Sequence, residues 1–298
     1  SLYAADISNT DLSGANLSYA QIYKTSVAGT NFTYADLSYA NLCGANVATF
    51  DFTGADFSHA DFDHAVLTYA DLTEVTIRYT NFYNSTLISV DLSGKDLTGT
   101  ILTEADLTDT ILTGVDLSGK DLTGTMFVGV DLSNVDLTDT ILTGADLSNT
   151  ILTGVDLSGM DLTGTSLADV DLSGKDLTGT ILADANLTNT ILTGADLTNA
   201  VLTDAILTGT NLENTVLTNS ILTGADLTNA VLTGAILTGT NLENTVLTNT
   251  ILNCVGHSVC VSTGSELSDK DLTGRDLSNR DLSGKDLTGT ILADANLT

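Results

Sequence analysis

An all-β solenoid is the fold class this sequence predicts, and three observations predict it. The chain keeps a five-residue period: of the 60 positions at Leu2, Ile7, Leu12 and every fifth residue to Leu297, 58 are Leu, Ile, Val or Phe, and only His257 and Ser262 break the rule. Twenty-five of the 26 glycines lie two residues after such a centre. Glycine takes φ > 0 at little cost, so that position reads as a turn. A period of five matches neither the 3.6 of a helix nor the 2.0 of a simple strand.

The remaining positions of the pentad follow in order. Two before the centre stands a small residue, usually Ala, Thr or Val, and one before it Asp or Asn, replaced in the second part by Ile or Val. One after the centre stands Ser or Thr. Each pentad is therefore a short extended segment plus a turn. One pentad cannot bury its Leu, whereas stacked coils can, which is the logic of solenoids. The Thr, Ile and Val content suits extended backbone.

Composition narrows the function classes. Pro and Trp are absent, Lys and Arg total 9, Asp and Glu 38, and the formal charge is -29. A phosphate-binding surface must be basic, so nucleic acid is not an expected direct ligand. Basic protein surfaces and cations, divalent ones included, are the favoured partners electrostatically. At 42% apolar residues the chain is too hydrophobic for a disordered acidic tail. No apolar run is long enough for a membrane span. The start shows neither a basic nor an apolar leader region, which leaves a cytosolic chain or one whose leader has been removed, and the compartment unknown.

Runs such as Ala15-Asn16-Leu17-Ser18-Tyr19, Ala55-Asp56-Phe57-Ser58-His59 and Ala145-Asp146-Leu147-Ser148-Asn149 resemble the pentapeptide-repeat family, whose pattern is A(D/N)LXX. The match covers nearly the whole chain. The resemblance implies a right-handed quadrilateral β-helix with four pentads per coil, the central and small residues inward and the other three outward. About 15 coils at roughly 4.8 Å each would give a rod of roughly 70 Å. Some members of the family are acidic dimeric rods that resemble DNA and bind a type II topoisomerase such as DNA gyrase. The charge density permits that: one charge per roughly 2.4 Å, against one per roughly 1.7 Å in DNA. Against it, those proteins dimerise through a C-terminal apolar segment that has no counterpart here.

Four regions are distinguished. Residues 1–90 hold all eight Tyr and six of the seven Phe; residues 91–252 are nearly free of aromatics; residues 253–266 lose the pattern and read as a loop or irregular coil; residues 267–298 resume it. Residues 191–220 and 221–250 differ only at Asp204/Gly234 and Ser220/Thr250. Their offset is one and a half coils, so the copies land on opposite faces, which argues against one finely shaped site there.

Stacking at 20-residue spacing sorts the outward residues into columns. Tyr19, Tyr39, His59 and Tyr79 share one, and Tyr23 and Tyr83, with Tyr3, share another. Either these are stacked rings that stabilise the coils, or they form a recognition edge. Asp96, Asp116, Asp136, Asp156, Asp176 and Asp196 form an acidic column, read either as a solvated stripe or as a site for cations or a basic protein. Ile101, Ile141, Ile181 and Ile221 fall on one face, and Ile111, Ile151 and Ile191 on the opposite one. Exposed apolar stripes point to lateral packing of the chain on itself; open solenoid ends point to dimers or filaments.

Seven of the nine basic residues, Lys95, Lys120, Lys175, Lys270, Arg275, Arg280 and Lys285, occupy the small inward slot. An unpaired buried ammonium is costly, so these side chains must swing out or find partners. Cys254, His257 and Cys260 have a spacing that zinc accepts, but a fourth ligand is not evident, and a disulfide or free thiols are the other readings. His59, His64, Asp61 and Asp63 face outward on adjacent faces and make a weak metal candidate. No nucleophile is matched with a base and no phosphate loop is present. The expectation is a protein that is not an enzyme, uses no cofactor, and serves as a structural or protein-interaction scaffold.

Overall fold

The computed structural model describes residues 2, 5–23, 25–257 and 259–260. It forms two compact units, Ser1–Asp156 and Leu157–Thr298. Both are built the same way. In most pentads a single residue, the one before the centre, makes a parallel bridge to a residue 20 positions away: Asp36↔Asp56 and Asp61↔Asn81 in the first unit, Ile181↔Val201 and Val201↔Ile221 in the second. One coil therefore takes 20 residues, or four pentads, and the fold is a β-solenoid.

The pentad explains its own geometry. The Leu37 N–H donates to Asp56 O (2.9 Å), and the Asp56 N–H donates back to Ala35 O (3.0 Å). The Ala40 N–H closes a β-turn on Leu37 O (3.0 Å), with Tyr39 as its third residue at φ 58°. That third position has φ > 0 throughout the coils, which is why glycine collects there and why Asn, Asp and aromatic residues are the usual substitutes.

Each centre from Ile22 to Leu252 is buried. Between residues 32 and 82 of the first unit the core holds an aromatic cluster: Phe32, Phe52, Phe57, Phe62 and Phe82 are all fully enclosed, with neighbouring rings 4.7–5.7 Å apart. In the second unit the core is a stack of Leu. Buried Thr at the small slot does not waste its hydroxyl. Thr80 Oγ1 donates to Phe57 O (2.8 Å) and Thr210 Oγ1 to Leu187 O (2.7 Å), so a polar side chain inside the coil also ties one coil to the next.

The pattern break near the end of the described residues begins as a one-residue deletion. Val255 pairs with Ile236 at a spacing of 19, and Cys254 takes the inward small slot, where it is buried. Gly256 then stands against the Thr238 backbone, where a Cβ would have no room. Cys254 and Cys260 are joined by a disulfide with Cα atoms 4.8 Å apart. Residues 267–298, with Lys270, Arg275, Arg280 and Lys285, lie outside the described residues, as do Tyr3, residue 258 and residues 261–266.

Candidate interaction surfaces

Tyr19, Tyr39, His59 and Tyr79 stand at the turn position of successive coils, with φ of 58–59°. Their rings stack with centroids 4.8, 4.5 and 4.7 Å apart and planes within 8°. The spacing is the coil pitch, imposed by the backbone ladder. A non-glycine residue in the left-handed region costs about 1–2 kcal/mol, and ring stacking of about 0.5–1.5 kcal/mol per pair offsets much of it. Tyr79 lies over Gly99, where a Cβ would run into its ring. Arg78 places its guanidinium 5.9 Å from the Tyr79 centroid and donates from Nε to Asp96 Oδ2 (3.1 Å). The stack is thus ordered before any partner arrives, with Tyr19 68% exposed.

Tyr83 is drawn into a different group. Its hydroxyl donates to Glu104 Oε2 (2.9 Å), and that bond to a carboxylate pushes the phenol's pKa up. His64 Nδ1 meets Asp63 Oδ1, and His64 Nε2 meets Asn84 Nδ2 (3.2 Å). His59 is in the ring stack instead, so the two histidines and Asp61 and Asp63 do not converge. Among the described residues no three His, Cys, Asp or Glu side chains come together as a metal would need. The Cys254–His257–Cys260 zinc reading is corrected as well: the disulfide consumes both thiolates, and His257 Nδ1 accepts the Val259 N–H (3.2 Å).

The outward aliphatic residues are where the pattern put them. Ile101, Ile111, Ile141 and Ile151 in the first unit are 47–51% exposed, and Ile181, Ile191 and Ile221 in the second 38–41%. In the second unit Ile181, Val201 and Ile221 are bridged one to the next.

The acidic column departs from the expectation of one uniform ladder. Asp176 and Asp196 are bridged, whereas Asp96, Asp116 and Asp136 carry no bridge. The cause is the inward slot just before them. Val75, Lys95, Val115, Val135 and Val155 stack in one column of the first unit, in a slot most often filled by Ala or Thr. Five large side chains in succession crowd a close-packed column, and the ladder is open along that face. Each carboxylate accepts its own turn's N–H, Asp96 from Thr98 (2.9 Å), Asp116 from Ser118 (2.9 Å) and Asp136 from Thr138 (2.9 Å). The adjacent hydroxyl and then that N–H lower the pKa of all three, while Asp136 opposes the effect at Asp116.

The two lysines complete the picture. Lys95 Nζ donates to Val75 O (3.1 Å) and Lys120 Nζ to Leu97 O (2.6 Å), each reaching a carbonyl of the preceding coil. Both are half-buried, and desolvation lowers their pKa against the pull of Asp91 and Asp71, and of Asp116 and Asp96. Between the parted coils lies a cleft of about 620 Å³ lined by Lys95, Leu97, Gly99, Gly114, Asp116 and Lys120, among others. A smaller one of about 380 Å³ lies beside Asp71, Asp91 and Lys95. Reading pentads one at a time missed both clefts; comparing inward slots 20 residues apart would have exposed the oversized column.

Coils of 20 residues with an inward apolar centre and a left-handed turn residue define a repeat protein of the solenoid class. The chain matches the family model "Pentapeptide repeats" in stretches running from residues 1–33 to residues 210–249. It belongs to the pentapeptide-repeat family. No curated protein sequence matches it. Among solved structures it is similar to the pentapeptide repeat protein Rfr23 from the cyanobacterium Cyanothece 51142 (42% identity, TM-score 0.24) over 33% of this chain and 64% of that one, less than two thirds of its length. It is also similar to HetL, a pentapeptide repeat protein involved in heterocyst differentiation regulation from Nostoc sp. strain PCC 7120 (26% identity, TM-score 0.22, 87% of this chain and 92% of that one). A third is QnrB1, a plasmid-mediated fluoroquinolone resistance protein (19% identity, TM-score 0.26, 72% and 82%). Among the described residues no helix is long and apolar enough to cross a membrane.

Proposed function

We propose that this chain is a non-catalytic scaffold whose right-handed quadrilateral coils bind a protein partner or further copies of the chain through outward columns of side chains. The observation that carries this reading is the display of large apolar side chains on the outside of a backbone fixed from within. Tyr19, Tyr39 and Tyr79 and the exposed Ile residues face solvent, while the buried centres hold every coil in register. Such patches mark contact surfaces.

Light scattering over a concentration series, with negative-stain electron microscopy, tests the self-associating form. The expected result is growth in mass with concentration that falls when Ile101 and Ile141 are replaced by Ser. A monomer at every concentration sinks self-assembly. Replacing Tyr39 and Tyr79 by Ser then tests partner capture, and binding that does not change removes the aromatic edge from the proposal.

The charge of -29 favours a second reading, an acidic rod that occupies a DNA-binding protein such as DNA gyrase. Inhibition of gyrase supercoiling by the protein supports it, and full supercoiling at a large excess excludes it. Thermal melts with and without Ca²⁺ test the cation form of the acidic column, and an unchanged midpoint removes it.

A further inference from the structure

The larger cleft in the first unit combines an open volume with two rows of backbone groups that make no ladder bonds to each other. In a closed coil pair Leu97 N–H and Gly99 N–H would donate to Asp116 O and Ser118 O, and Asp116 N–H to Lys95 O. None of these bonds is formed. Around the corner Asp121 N–H and Thr100 O are unpaired too. The neighbouring interfaces on this face keep a bond at the turn, from Tyr79 N–H to Thr98 O (2.8 Å) and from Gly119 N–H to Thr138 O (2.8 Å). The interface between residues 95–100 and 114–121 has lost even that one. There Lys120 Nζ on Leu97 O (2.6 Å) and Thr103 Oγ1 on Asp121 O (3.2 Å) link the coils instead.

Backbone donors and acceptors are obligatory hydrogen-bonding groups, and here they line the cleft in the order that an additional coil segment would use. Leu97 and Gly99 present N–H groups on one side, and Asp116 and Ser118 present C=O groups on the other. Gly99, Gly114 and Gly119 leave the mouth without side chains, and nothing stands within 4 Å of a Cβ built on Gly114 or Gly119. The exposed carboxylates of Asp96, Asp116 and Asp121 form the rim, while Lys95 and Lys120 are turned to internal carbonyls.

We propose that this cleft is a binding site for an extended polypeptide segment of a partner protein. The segment inserts as a parallel strand between the two coils, accepting from Leu97 and Gly99 N–H and donating to Asp116 and Ser118 O. Strand addition of this kind takes affinity from main-chain bonds and specificity from the flanking side chains. The carboxylate rim selects a segment flanked by Lys or Arg. This deepens the protein-binding reading and rests on it, but it uses backbone groups rather than the Ile stripes, at the end of the Tyr stack where Tyr79 lies over Gly99.

The test is amide hydrogen exchange on the full chain with three synthetic probes: the peptide KVTVTK, its acid-flanked counterpart EVTVTE, and KVPVPK, whose prolines cannot donate. The expected result is protection of Leu97, Gly99 and Asp116 amides by KVTVTK alone. Equal protection by KVPVPK, or none by KVTVTK, overturns strand insertion; equal protection by EVTVTE overturns the selection for basic flanks. Gly119→Asn fills the mouth at the smallest backbone cost a side chain allows, since Asn tolerates φ > 0 better than other residues. It should weaken KVTVTK by about tenfold, the equivalent of one main-chain bond; unchanged affinity places the peptide elsewhere. Self-association that persists in the Gly119→Asn protein separates failure of the cleft from failure of the scaffold reading.

Discussion

Asp116 in the first unit and Asp196 in the second hold the same place in their pentads and have the same outward direction, yet their backbones behave differently. Asp196 is bridged to Asp176 and Val216, and its N–H donates to Lys175 O (2.9 Å). The Asp116 N–H has no such bond. The difference lies inside. Ala195 and Thr215 fill the inward slot of the second unit, whereas Val115 and Val135 fill that of the first. A lysine in the slot is not sufficient to part the coils, because the Lys175 carbonyl still takes part in the ladder. In another column the Val130 and Val170 carbonyls still accept from Ile151 and Ile191 (3.1 and 3.0 Å), although Ile111 and Asp131 are not bridged. The ladder is open at other interfaces as well, between residues 72–74 and 91–93 and between 142–144 and 161–163, so the run of large residues distinguishes this column without being the sole condition for parting.

The largest effect should come from transplanting that column. Ala195→Val with Thr215→Val should open the second unit at Asp196 and Val216 and cost about 1–3 kcal/mol, the usual penalty for overpacking. Chemical denaturation and exchange at those two amides read the result, and a ladder that stays closed would break the explanation. The reverse change, Val115→Ala with Val135→Ala, should close the first unit's seam. Slower exchange at Asp116, Leu117 and Asp136 amides is expected, with stability changing by no more than about 1–2 kcal/mol as lost methyl burial opposes regained bonds.

A smaller effect concerns Lys120. Its folded pKa lies below the usual lysine value, so the unfolded chain binds the proton more readily. Between the folded pKa and the unfolded value of about 10.4, stability should therefore rise with pH. Lys120→Met should abolish that part of the rise in a pH series of urea melts, and an identical slope in the variant would refute the assignment. The smallest effect is expected at the exposed carboxylates. Asp96, Asp116 and Asp136 have lowered folded pKa values, so their contribution is present above the usual carboxylate range and disappears as pH falls through the folded values. Asp116→Asn keeps the oxygen that caps the turn and removes the repulsion from Asp136. Its melting midpoint should depend less on salt than that of the parent protein.

How much of this was legible beforehand varies by residue. Leu37, Phe57 and Leu207 could be assigned to the core from period alone, because one face of a five-residue repeat has only one place to hide. The aromatic stack was legible as a column at 20-residue spacing, but not the near-parallel rings or the seating of Tyr79 on Gly99. Lys95 and Lys120 were recognisable as misfits, though the carbonyls that accept from them depend on how far the coils part. The disulfide was one of several readings of Cys254 and Cys260, because spacing alone does not choose between a thiol, a bridge and a ligand.

By itself the sequence determined the pentad, its turn and its buried centre, since these follow from local period, turn chemistry and the need to bury each Leu; the 20-residue coil was what the family resemblance implied. The tertiary structure decided where the ladder closes. That depends on how side chains 20 positions apart pack once the coils are stacked, which no single pentad carries. The parting at Val75, Lys95, Val115 and Val135, and with it the unpaired amides of Leu97, Gly99 and Asp116, exists only once the coils are stacked.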